Sequence, residues 1–117
     1  MPLRMVTICS DPLADRRLKL VVGPGESYAF VAGGPPPELP FDFSVENLRW
    51  ALKGLTYQAW GEGGYFALRP AGRDEVQVEF KSSAERRVTV CRMSVDQFNE
   101  IIEPLSDSYV KNRVEVL

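Results

Sequence analysis

Few side chains in this sequence could do chemistry, and the commonest catalytic one is missing. There is no histidine among the 117 residues. That removes Ser-His-Asp and Cys-His catalysis, histidine-ligated zinc and the usual proton shuttle near neutral pH. An enzyme would have to work through a carboxylate, lysine, tyrosine or cysteine of shifted pKa. The two cysteines, Cys9 and Cys91, form no Cys-x-x-Cys pair. Both fall in predicted strands, where reduced buried thiols are expected to pack as small hydrophobes. A disulfide from the first strand to the last is the alternative that sequence leaves open. Cys91 is expected opposite Glu75 on a polar sheet face. That is a poor catalytic pair, because a carboxylate raises a thiol's pKa. The remaining group is aromatic and cationic: Trp50, Trp60, Tyr65, Arg69 and Arg87. Trp, Tyr and Arg dominate the energetics of protein interfaces, so these five are the candidate partner-binding residues.

The element that has to position most of them is a predicted β-meander. Glu75–Lys81 alternates strictly, with Val76, Val78 and Phe80 on one side and Glu75, Gln77, Glu79 and Lys81 on the other. Period two over seven residues indicates a half-buried strand. Arg86–Arg92 alternates as well. Thr56–Trp60 and Tyr65–Arg69 are aromatic-rich runs around a Gly-Glu-Gly-Gly loop, which predicts a hairpin. Pairing Trp60 with Tyr65, Arg69 with Glu75 and Phe80 with Arg86 gathers Leu55, Tyr57, Ala59, Phe66, Leu68, Val76, Val78, Phe80, Val88 and Val90 on one apolar face. A slip of one residue at any turn would reverse a strand's faces. On the opposite face the same register sets Arg69 against Glu75 and Glu79 against Arg87, each pair worth about 0.2–1 kcal/mol. It also lines up Trp60, Tyr65, Glu79 and Arg87 in one row.

Two helices are expected beside this sheet. Ser44 is a suitable N-cap, Phe43 can staple onto Leu48, and Gly54 is a stop signal. Val45, Leu48, Ala51, Leu52 and Leu55 form the apolar stripe, and Trp50 lies off it. The second helix begins the same way. Met93-Ser94-Val95-Asp96-Gln97-Phe98 supplies a capping box and staple, Ile101, Ile102 and Leu105 continue the stripe, and Pro104 is expected to close or kink it. Residues 106–117 permit a short final strand. Before the meander, Arg4–Cys9, Arg17–Val22 and Ser27–Val31 read as strands, the last two joined by a Pro24-Gly25 type II turn. Gly23-x-Gly25 is not a dinucleotide loop, since Tyr28 stands where the third glycine would be. Pro35–Pro37 favour an extended crossover.

The chain is thus predicted to be a single α+β domain over residues 1–117. Its antiparallel sheet, a four-stranded C-terminal meander plus an N-terminal hairpin that either extends it or forms a second layer, would have two helices packed on one face. A net charge of −2 creates no global basic field for nucleic acid. No apolar run reaches the ~20 residues of a membrane span. The expected function is a small, non-enzymatic protein-binding module, such as an inhibitor, immunity-type protein or adaptor. It would be cytoplasmic and soluble, use a polar sheet face with exposed aromatics, and need no metal or cofactor. Single-stranded nucleic acid binding is the first alternative, with Trp60 and Tyr65 stacking bases. A small-ligand site or an enzyme without histidine is the second, and a homodimer through a strand edge is also open.

Overall fold

Alternating segments become eight antiparallel strands in a computed structural model that describes residues 3–116 apart from 35 and 37. The expected polyproline crossover therefore lies partly outside the described residues. β1 (Arg4–Asp11), β2 (Arg16–Gly23), β3 (Glu26–Ala32) and β4 (Phe41–Asp42) form one four-stranded sheet in that order. β5 (Tyr57–Gly61), β6 (Gly64–Ala71), β7 (Glu75–Ser82) and β8 (Thr89–Ser94) form the other. A 3-10 helix, Val45–Lys53, connects the sheets, and α1, Val95–Val116, follows β8. The fold is mixed α+β. No helix among the described residues is long and apolar enough to cross a membrane.

The N-terminal strands form a second layer rather than widening the meander. Leu18, Leu20 and Val22 give β2 an apolar face as continuous as that of β7, and a face of that kind must be buried against another element. Both sheets share one core. Leu18, Leu20, Val22, Ala29 and Val31 contribute from one side, and Phe66, Leu68, Val76, Val78 and Phe80 from the other. Each valine, leucine or phenylalanine among them stabilises the fold by about 1.5–3 kcal/mol when fully buried. The meander's apolar face is accordingly covered by a sheet as well as by helices. β1 lies beside β8, and β4 beside β5, so the layers meet along two seams.

The helices differ from expectation in informative ways. The first is 3-10 throughout, and period three aligns Val45, Leu48 and Ala51, which are buried. Leu52 is only partly buried and Leu55, beyond the helix, is 53% exposed. Ser44 makes no side-chain cap; its backbone N–H donates to Tyr57 Oη at 2.7 Å and its carbonyl receives Asn47 N–H at 3.2 Å. Ser94 does cap α1, accepting from Gln97 N–H at 3.1 Å. Phe98, Ile102 and Leu105 then enter the core on one α-helical face. α1 runs past Pro104 to Val116, so the expected closure there and the permitted final strand are both corrected. A proline removes one intrahelical bond and need not end a helix whose stripe is anchored on both sides of the break. Arg49 Nη1 donates to Asn99 Oδ1 at 2.6 Å, joining the two helices.

The meander's register holds at one turn and shifts at two. Trp60 pairs with Tyr65 as predicted. β7 sits two residues from the expected position, with Glu75 opposite Ala71 and Gln77 opposite Arg69. An even shift keeps the faces, so Val76, Val78 and Phe80 remain inside. β8 is displaced by three, with Phe80 opposite Thr89. An odd shift exchanges the faces. Thr89, Cys91 and Met93 turn toward the core, while Val88 and Val90 are 44% and 54% exposed. The expected facings of Arg69 with Glu75, Glu79 with Arg87, and Cys91 with Glu75 are therefore replaced.

Candidate functional site

The outer face of the β5–β8 sheet is the surface the sequence singles out. Trp60, Tyr65 and Lys81 form one cross-strand row; Gln58, Ala67, Glu79 and Val90 form the next; Arg69, Gln77 and Arg92 the third. Trp60 is 72% exposed at the end of its row, next to the Glu62-Gly63 turn. That turn is held from below. A Cβ on Gly63 would lie 1.8 Å from the Leu39 carbonyl oxygen, so only glycine lets the two backbones approach this closely. The indole is thus carried on a fixed strand end.

Its neighbours are fixed as well. Tyr65 Oη donates to Glu79 Oε2 at 3.1 Å, and Arg69 Nε donates to Glu79 Oε1 at 2.8 Å. Ala67, between them in β6, is fully buried although it faces outward. Partial burial and the Glu79 carboxylate both push the Tyr65 hydroxyl above the ordinary tyrosine range; Arg69 opposes them. Tyr65 is therefore neutral at physiological pH, and its phenol acts as a donor. Arg92 Nε reaches Gln77 Oε1 at 3.3 Å.

The five candidate residues do not form one cluster. Trp60, Tyr65 and Arg69 share the outer face. Trp50 lies on the 3-10 helix, 38% exposed, with its ring edge-on to the core residue Tyr57 at 5.7 Å. Arg87 lies before β8 at the β1–β8 seam, outside the row expected to contain it; in that row Lys81 stands on β7 where Glu79 was expected. Sequence reasoning places Lys81 on this face but not in the row of Trp60, and it misses Val90 on the face altogether. Lys81 carries a sequence signal in its alternation with Phe80; Val90 carries none, because Val88 and Val90 suit an inward face equally well.

The seam where Arg87 lies is the second polar construction. Asp11 Oδ2 accepts from Arg87 Nε at 2.8 Å and from Thr89 Oγ1 at 3.4 Å, while Oδ1 accepts from Leu13 N–H at 3.1 Å. Burial alone would raise the Asp11 carboxyl, but the bond and charge of Arg87 and the Leu13 and Ala14 amides outweigh it, leaving it below its usual range. Arg16 grips Glu85 with two nitrogens, Nε at 2.6 Å from Oε2 and Nη2 against Oε1. Further along the same seam, past the Asp11–Arg87 pair, runs a disulfide, Cys9–Cys91, with Cα atoms 5.9 Å apart. The expectation of two reduced thiols is corrected. A β-bulge at Ile8 makes the bond geometrically accessible: Thr7 pairs with Lys19, but Cys9 pairs with Leu18. The extra residue turns Cys9 inward, where the displaced β8 presents Cys91.

Comparison with known proteins adds no relative, since no family model, curated protein or solved structure matches the chain.

Proposed function

We propose that the chain is a small, non-enzymatic protein-binding module whose contact surface is centred on Trp60. One observation carries this reading: a tryptophan 72% exposed on a sheet whose neighbouring side chains are already tied in place. Exposed indole leaves a large apolar area in water, and ordering it on a rigid strand lowers the entropy cost of binding. Val90 adds apolar surface three strands away in the adjoining row, and Lys81 and Arg92 give the rim cationic groups. Trp50 is a weaker candidate in this reading, because its ring already has a partner in Tyr57.

The Cys9–Cys91 bond bears on where the module works. Disulfides persist in oxidising compartments and are rare in a reducing cytosol. We therefore place its function outside the reducing cytosol, in contrast to the cytoplasmic setting expected from sequence. The test of the binding reading is affinity purification of partners from the native host with wild-type protein and Trp60→Ala. Wild-type protein should retain a specific partner, and the variant should lose it with an unchanged circular dichroism spectrum. Equal retention by both would remove Trp60 as the contact.

A further inference from the structure

The two seams of the sandwich are built differently. The β1–β8 seam is closed by a disulfide and by the Arg87–Asp11 and Arg16–Glu85 pairs. Among the described residues the β4–β5 seam has neither disulfide nor ion pair, and the Ser44 N–H to Tyr57 Oη bond crosses it just beyond β4. β4 is only two residues long and pairs with β3, in the other sheet. β5 is hydrogen-bonded on one side only, to β6. The two-residue Glu62-Gly63 turn makes Gly61 and Gly64 the first bonded pair, and antiparallel ladders alternate. Ala59 and Tyr57 therefore bond to β6, whereas Gln58 and Trp60 turn their N–H and C=O groups outward. Among the described residues no backbone hydrogen bond receives those groups.

A shallow groove runs along that edge. Asp42, Phe43 and Ser44 form one wall, and Tyr57 to Trp60 the other. Asp42 is the charged group in its lining, and it also lines the adjoining groove with Glu26. Among the described residues neither carboxylate has an ion-pair partner. An open strand edge beside an acidic wall and an exposed indole specifies its occupant. Unpaired ladder groups at a two-residue spacing match another extended backbone. A carboxylate and an aromatic face together favour a cation. A second copy of this chain is disfavoured, since pairing β5 with itself would bring two acidic walls together.

We propose that the open edge of β5 takes up an extended peptide segment as an added strand, and that this segment carries a lysine or arginine whose cation lies between Asp42 and the Trp60 ring. The proposal rests on the protein-binding reading above and names the partner's chemistry. The probe is a random twelve-residue peptide library displayed on phage and selected on the immobilised, oxidised protein. Enriched sequences should alternate β-branched or aromatic residues with others and share a basic residue at one position. Synthesised peptides should bind Gln58→Pro at least about tenfold more weakly, the loss expected from one or two ladder bonds. A proline there deletes only an outward-facing donor, so the ladder to β6 survives. If that variant is unfolded, N-methylation of the peptide at alternate positions makes the same test without altering the protein. Selection on Asp42→Lys should replace the basic residue by an acidic one. No enrichment, peptides lacking a shared cation, unchanged binding to Gln58→Pro or by N-methylated peptide, or a β5-dependent dimer would each overturn strand addition. Partner capture separates the two readings. If it is lost in Trp60→Ala but unaffected by Gln58→Pro and Asp42→Lys, strand addition falls and the binding module stands. If it survives Trp60→Ala, the binding surface itself falls.

Discussion

Replacing Cys9 and Cys91 together by alanine should be the most damaging change at the edge of the core. The bond joins residues 82 positions apart. Closing a loop of that size restricts the unfolded chain by about 4.5 kcal/mol at 25 °C on the chain-entropy account. Unfolding entropy is about 2.1 cal/mol/K per residue, or about 245 cal/mol/K for a chain of this length, so the midpoint should fall by about 18 °C. Calorimetry or far-UV circular dichroism melts of the oxidised protein, the dithiothreitol-reduced protein and the double variant make the comparison. The two reduced forms should melt close together and well below the oxidised one, each in a single transition. A difference below about 5 °C would refute the assignment of the β1–β8 closure to this bond. So would two titratable thiols in the protein as isolated under air.

The same seam sets a pH dependence. Asp11 and Glu85 are both held below their ordinary values, Glu85 first by its hydrogen bond to Arg16. A depressed folded-state pKa gives stability that is present above the unfolded value and is lost as pH falls through the folded one. Denaturant midpoints should therefore decline as pH drops through and below the ordinary carboxylate range, and Asp11→Asn should flatten the decline. At the other extreme, Tyr65 should ionise late in an ultraviolet difference titration. Glu79→Gln should bring that transition to lower pH, because it removes a carboxylate that raises it. The β8 register has its own test: Val90→Lys should change stability by less than about 0.5 kcal/mol. Val78→Lys places an unpaired charge in a fully buried position and should prevent folding.

Parity and spacing explain what could be read in advance. Val76, Val78 and Phe80 gave the inward face of β7 correctly because their pattern is strict and unopposed. The Trp60–Tyr65 pairing followed from a glycine-rich turn of fixed length. β8 failed because it contains two interleaved apolar sets, Val88 with Val90 and Thr89 with Cys91 and Met93. Local alternation cannot choose between them. The choice is made by distant groups: Asp11 and Arg16, which hold Arg87, Thr89 and Glu85, and Cys9, which bonds to Cys91. The bulge at Ile8 has no signature in Val-Thr-Ile-Cys, so the disulfide had none either. The surface around Trp60 was half legible. Tyr65 and Arg69 came from the sheet parity, while the open β5 edge depends on where β4 ends.

A two-layer sandwich locked by a covalent bond on one side is held unequally along its two rims. The other side is left to non-covalent contacts, where the Ser44–Tyr57 hydrogen bond and the close Leu39–Gly63 approach keep the two layers together. A visitor at the strand that ends at Trp60 therefore meets a rim already shaped, with the far side fastened behind it.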